Sequence, residues 1–475
     1  MKVYERLAYS LFILLITWLP VPLGSNRVWA WSISEIWVAL ISLLILIAYK
    51  GHIPFRLLNH YKLLVYPMCL FQAWVTLQLV PFHFEILSFL SPNSAHIYQL
   101  AGAKYGYLSI DSRMTQISLI KGLSYTLLVI NAIILVNSSK RLKWLALAII
   151  CSGTFQAFYA SLMVLLEIPE SAVFNYPEEG IATGSFVYKN HLANYLMMCL
   201  CIGLGYIVTE LRLSPSGSWN IRLRRILEGI LSGKMLVRLC LIIMVIALVM
   251  TRSRMGNTAF FLATAFGGVL ALLYYKQRPK ALTILVASVI LIDTIIIGTL
   301  FGLEKVKQRL VETSLGFESR DQVVIWALDV VRDFPWTGTG LASFYTIFPM
   351  YSHGDIGFYD HAHNEYIQFM VEVGIPATIV LSALVLIAFW RGLQTIRDRN
   401  SRTMKGLALG CIMSITGMLV HMSVDFTLQP PANAITFLLV LFIAHACFIL
   451  PATGRLPIET VSVVKKSNNK GAING

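Results

Sequence analysis

The sequence predicts an all-α polytopic membrane protein of about twelve spanning helices, with a long helical loop outside the membrane between the ninth and the tenth. Three observations carry this. Of 475 residues, 57% are hydrophobic and 13% charged, with a mean hydropathy of +0.69, whereas soluble domains carry about 25% charged residues. The apolar stretches run for about 17–23 residues, enough to cross a hydrocarbon core of ~30 Å as helices. Barrel strands would be about half as long and would alternate polar with apolar residues; these do not. Finally, basic residues gather on alternate loops.

The spans predicted are 7–23, 33–49, 63–80, 116–136, 144–166, 191–209, 236–251, 257–275, 281–300, 374–390, 407–426 and 433–450. The first follows Lys2 and Arg6 as a signal peptide would, but it exceeds the ~7–15 residues of a signal h-region and no small-x-small cleavage site follows. It reads as an uncleaved first helix. With the N-terminus inside, 26 of the 38 lysines and arginines fall on inner loops. This positive-inside bias sets an orientation with both termini cytoplasmic. The formal charge of +14 is thereby spent on topology, and no nucleic-acid partner is expected.

The chain then divides into 1–300 (helices one to nine), 301–372 (an extracytoplasmic loop), 373–450 (helices ten to twelve) and 451–475 (a disordered cytoplasmic tail). Residues 81–115 read as short interfacial pieces. The acidic stretch 167–190 turns at Gly180 and Gly184 into Tyr188-Lys189-Asn190-His191. The seven cysteines lie in apolar segments without CxxC or His/Cys ligand spacing. They read as buried free thiols rather than a disulfide framework or a zinc site.

Chemistry is expected on the outer face. Arg252 and Arg254 stand against the charge rule at the outer end of a helix, where a guanidinium fork suits phosphate or carboxylate; snorkelling to head groups or pairing with the external acids is the alternative. Loop 301–372 holds Arg320, the glycine turn Phe334-Pro335-Trp336-Thr337-Gly338-Thr339-Gly340, and His361-Ala362-His363-Asn364-Glu365. The turn lacks the Gly-Lys-Ser/Thr ending of a phosphate loop. Two histidines two residues apart do not make an i,i+4 metal pair, so no metal is expected, but an imidazole beside carboxylates suits general-base work on a hydroxyl. Asp425 is an ionisable group at membrane depth, with His421 four residues back on the same helix as a candidate partner. Lys121 and Asp293 are also intramembrane. Trp326, Trp336, Phe344, Tyr345, Phe348, Tyr351, Phe358 and Tyr359 could stack a ligand, lie at the interface or pack a loop core.

Certain pieces occur in order. Ser253-Arg254 with Gly256 follows a helix, and Arg320 precedes Trp326 and Pro335-x-x-Gly338-x-Gly340. His363-Asn364-x-Tyr366-x-Gln368 leads to Glu372-x-Gly374, and Val424-Asp425-Phe426 to Pro431-Ala432-Asn433. Over about residues 180–445 this order resembles the O-antigen ligase and Wzy-type polymerase superfamily of bacterial envelope polysaccharide transferases.

The resemblance implies a GT-C-like, metal-independent, inverting glycosyltransferase of the inner membrane, without a cofactor. Its donor would be an undecaprenyl-diphosphate-linked glycan at the periplasmic face. Its acceptor would be lipid A–core for a ligase, or a second lipid-linked repeat unit for a polymerase. Arg254 and Arg320 would hold the diphosphate, His363 would activate or orient the acceptor hydroxyl, and Asp425 would support the site. Arg252, His361, Asn364 and Tyr366 join them as substrate-binding candidates, and which of His361 and His363 acts stays open. A flippase for lipid-linked sugars, or a non-enzymatic assembly scaffold, are the competing classes.

Overall fold

A computed structural model describes residues 2–175, 177, 180–210, 233–274, 314–353 and 357–456. Span 281–300, Asp293 and the tail from 457 lie outside them. Among the described residues the chain is helical, and each of the other eleven predicted spans meets a helix. In chain order these are α1 (Lys2–Trp18), α2 (Val28–Ala48), α4 (Lys62–Gln78), α7 (Ser112–Leu135), α8 (Ser139–Leu165), α9 (Lys189–Glu210), α10 (Gly233–Met250) and α11 (Arg254–Tyr274). After the loop come α14 (Glu365–Asp398), α15 (Arg402–Met422) and α16 (Pro431–Ile449). Eight described helices are at least 18 residues long and apolar enough to cross a membrane. The chain is therefore a multi-pass membrane protein.

Shorter pieces complete the fold. α3 (Phe55–His60) leads into α4, and α5 (Phe84–Leu90) and α6 (Pro92–Leu100) fill the expected interfacial stretch. α12 (Ser314–Asp333) and the single turn α13 (Phe344–Ile347) belong to the long loop. Phe334, Phe344, Ile347 and Phe348 form a separate small core there with Val323, Ala327 and Val330. Of the loop aromatics, Phe344 and Phe348 thus pack inward, whereas Trp336 and Phe358 are each 70% exposed.

The centre of the bundle is α9, α15 and α16, whose spans are 83%, 72% and 78% buried, against 33% for α2. Small residues bring the first two together. A Cβ on Gly205 would lie 2.5 Å from the Gly406 carbonyl oxygen, and one on Gly410 would lie 2.8 Å from that of Cys201. Apolar lipid gives helices no hydrophobic reason to associate, so close backbone packing of this kind supplies the attraction. Cys199, Cys201, Cys411 and Cys447 are buried here as expected, but Cys69 and Cys151 are exposed on the bundle's outer surface. Lys121 lies over the Trp31 ring, 3.4 Å from its centroid, with Glu35 beside it. That arrangement reads as a structural pair.

The tenth predicted span is where sequence and structure differ most. It begins at Glu365 rather than 374, and the helix is interrupted at Gly374 (φ 78°, ψ 166°) just before Pro376. The break frees carbonyls, which must be satisfied in a buried setting. The glycine turn of the loop does this: Thr339 N–H donates to the Val371 carbonyl (2.8 Å) and Gly340 N–H to that of Glu372 (2.9 Å), while Ile375 N–H donates to Pro335 (2.9 Å). From α4, Trp74 Nε1–H donates to the Val373 carbonyl at 3.0 Å, and the Gln78 amide donates to Thr337 and Glu372 at 2.9 and 3.0 Å. Gly338 (φ +63°) and Gly374 pass so close that a Cβ on either would sit 2.4–2.5 Å from the other segment's backbone. Only glycine fits both the dihedral and the gap.

Candidate active site

The ends of α9, α11, α14, α15 and α16 that carry the motif residues meet at one end of the bundle. The turn after α15 is the seat. That helix stops at Met422, so Asp425 lies in the following turn and the expected same-face pairing with His421 does not describe its geometry. Asp425 is 1% exposed. It accepts a short hydrogen bond from the Asn190 amide and one from the Phe426 N–H at 2.9 Å. His363 Nδ1 stands 3.7 Å from Asp425 Oδ1, beyond hydrogen-bond length but within ion-pair reach. Burial raises the Asp425 proton affinity. His363, His421, the Phe426 N–H and His191 together outweigh burial, so the carboxyl titrates below its usual range.

Phe426 is the centre of an aromatic cluster. His361 stacks on it (centroids 4.5 Å apart), and Tyr188 lies parallel at 5.6 Å. His363 and His191 meet it edge-on at 4.8 and 5.2 Å. The His191 ring also bonds to the Phe426 carbonyl at 3.2 Å, and Asn433 at the start of α16 holds the His191 and Thr427 carbonyls. Ring-to-ring contacts of these geometries are each worth about 0.5–1.5 kcal/mol beyond area burial, so the imidazoles are held by packing as well as by hydrogen bonds.

The first turn of α14 carries the rest. Asn364 caps the helix by accepting from Ile367 N–H at 3.2 Å and donates to the Ser423 carbonyl at 3.0 Å. Tyr366 Oη–H donates to Leu419 at 2.7 Å. Both are thus engaged in tying α14 to α15. Buried Glu365 accepts from Leu428 N–H at 2.7 Å. Gln368 accepts from Ala362 N–H at 3.2 Å and reaches His361 Nδ1 and Glu372 Oε1, each at 3.1 Å. Glu372 in turn accepts from Ala342 N–H at 2.8 Å. Burial lowers the proton affinity of His361, and His363 adds to this against the pull of Asp360 and Asp425.

His363 has φ +50°, a left-handed conformation that costs a non-glycine residue roughly 1–2 kcal/mol. Such strain persists where the surroundings over-determine a position, often at a site of function.

The arginines arrive from two further elements. Arg320 on α12 is exposed and hydrogen-bonds Tyr188, whose hydroxyl is pushed up to about 12 by burial and then by Asp425, against Arg320 and Asn190. Arg254 is exposed in the first turn of α11. Ser253 caps that turn, accepting from Gly256 N–H at 3.2 Å. A Cβ on Gly256 would lie 2.5 Å from that of Ala193, so the first turn of α11 packs against the first turns of α9, which carry Asn190 and His191. Arg252, also exposed, occupies the tight turn between α10 and α11 with φ +50°. Among the described residues, no group of three or more His, Cys, Asp or Glu is placed to hold a metal ion.

Every site candidate from the sequence thus lies at this end. Sequence reasoning passed over Asn190, His191, Gln368, Glu372 and Phe426 as site members. The run Tyr188–His191 stood out only as the end of an acidic loop. Its place at the start of a predicted span, and the acids at positions 365 and 372 just before another, were signals that could have found them.

A family model described as O-antigen ligase matches residues 239–382, and no curated protein matches the chain. The matched region holds Arg252, Arg254, Arg320, His361, His363 and both glycines of the helix break. Asn190 and Asp425 flank it on either side.

Proposed function

We propose that this chain, which carries an O-antigen ligase family region and a function of the ligase or polymerase type, transfers a glycan from an undecaprenyl-diphosphate carrier to an acceptor hydroxyl. The observation that carries the reading is the His363–Asp425 pair at 3.7 Å, set at the same end of the bundle as Arg254 and Arg320. The acceptor is taken as lipid A–core, the reaction as inverting and metal-independent, the fold as GT-C-like, and the site as facing the periplasm of a bacterial inner membrane.

In this reaction the acceptor oxygen attacks the anomeric carbon and its proton passes to His363 Nε2. The bond from the anomeric carbon to the phosphate oxygen breaks, and the diphosphate departs on its lipid. Asp425, 3.7 Å from the other imidazole nitrogen, stabilises the imidazolium by charge, which leaves Nε2 to act as the base. Charge develops on the leaving diphosphate, where fixed guanidinium groups stabilise the transition state. Arg320 on the loop and Arg254 on the bundle supply them from two sides.

The test is transfer by purified protein from undecaprenyl-diphosphate glycan, offered either lipid A–core or a second lipid-linked unit. His363→Ala, Arg254→Ala and Arg320→Ala should each lose most activity while the protein stays folded. Full activity in all three would sink the residue roles. Transfer only to the second lipid-linked unit would make the protein a polymerase, and transfer independent of the carrier diphosphate would end the donor reading. Activity that survives EDTA is the expected result.

A further inference from the structure

Two histidines two residues apart both lie against Phe426, and the hydrogen bonds around them are not alike. The Gln368 side chain is oriented by three partners at once. Its oxygen faces the Ala362 N–H at 3.2 Å, and its nitrogen faces Glu372 Oε1 and His361 Nδ1, each at 3.1 Å. Turned over, the amide would set N–H against N–H and oxygen against carboxylate, so the orientation is fixed by its neighbours. Glu372 cannot swing away to relieve this, being itself held by Ala342 N–H at 2.8 Å.

The consequence falls on His361. With an amide N–H donated to it, Nδ1 must be the lone-pair nitrogen, and the neutral ring carries its proton on Nε2. Asp360, 3.8 Å from Nε2, is too far for a hydrogen bond, so that proton is available to a ligand. His363 differs: its Nδ1 faces the Asp425 carboxylate at 3.7 Å, within ion-pair reach, and no amide N–H is donated to it.

We propose that His361 is the hydrogen-bond donor of this site, its proton fixed on Nε2 by the Gln368 amide, and that it donates to the diphosphate of a polyprenyl carrier. This rests on the transfer reading above, and it divides the labour between the imidazoles: His363 takes a proton, His361 presents one without giving it up. Gln368 and Glu372 are then positioning residues.

The experiment measures tautomer and binding without a transfer step. Full-length protein in detergent, labelled with 15N-histidine, should show His361 unprotonated at Nδ1, the signal being assigned by its loss in His361→Gln. Binding of undecaprenyl diphosphate should weaken about tenfold or more in His361→Phe, which keeps the stack on Phe426 and loses the N–H. His361→Gln keeps a donor and should bind within threefold of wild type. Gln368→Met, which removes the amide N–H facing Nδ1 and frees the tautomer, should weaken binding, though less than His361→Phe does. A proton found on Nδ1, or a His361→Phe variant that binds as tightly as wild type, overturns the proposal. Diphosphate binding with this pattern but no glycan transfer would count against the transfer reading and leave the donor assignment standing.

Discussion

α9 and α15 run side by side, yet their two ends are built on opposite principles. Toward one end the contact is backbone against backbone, with Gly205, Gly406 and Gly410 letting the helices touch. At the other, the same helices carry Asn190, His191, Asn194 and His421 toward the turn holding Asp425 and Phe426, and side chains do all the joining. The glycine seam is regular helix. The polar end holds His363 in a left-handed conformation and depends on a helix that breaks. The first region is close-packed backbone and the second is the candidate site, and a constellation of side chains keeps its geometry best when mounted on a rigid base.

That contrast can be broken from either side. The largest effect is expected from His363→Ala, which should lower kcat by roughly 10²–10⁴ as the loss of a general base, with stability in detergent lowered by only about 0.5–1.5 kcal/mol for its edge-on contact with Phe426. A parallel fall in both would make His363 a structural residue. Gly374→Ala should destabilise by about 3 kcal/mol or more, since it meets both an unfavourable φ and the Trp336 carbonyl oxygen 2.5 Å away; activity should fall with it because the break positions α14's first turn. Gly410→Ala, in the seam, should cost about 1–3 kcal/mol by overpacking, while the transfer rate per folded molecule holds. Loss of rate without loss of stability there would erase the distinction between the two ends.

A smaller effect is expected from pH. The folded chain holds the His361 ring at a lowered proton affinity, through burial first. The unfolded chain therefore binds the extra proton over the window just below the usual imidazole value, and stability should fall as pH drops below about 6.5. His361→Phe should flatten this slope in a melting series between neutral and mildly acidic pH. Trp336→Ala should change least, within about 0.5 kcal/mol, because that ring is 70% exposed.

Much of the scaffold was legible because length and apolarity are local properties. The start of α14 was not, since Glu365, Gln368 and Glu372 lower the hydropathy of its first turns although they are buried. The break at Gly374 and the turn 335–340 were both quoted as motif pieces, but nothing in their sequence says that the two pair with each other. The site was legible to the extent that its members sit in motifs, as His363 and Asp425 do. Asn190 contacts Asp425 across 235 positions of chain, and Phe426 is an apolar residue in an apolar neighbourhood whose role is defined only by the four rings around it. No local pattern records either.

The threaded break also imposes an order of assembly. Its hydrogen bonds draw on α4, on the turn 335–340 and on α14, so α4 must wait through nearly three hundred residues of synthesis before its partners exist. Such late, long-range closure is slow to form. Trp74 and Gln78 would be left facing an unfinished neighbour until Ile375 has been made, and Asp425 arrives later still. A chain truncated within α14 would therefore lack the turn that carries Asp425 and would not assemble the candidate site.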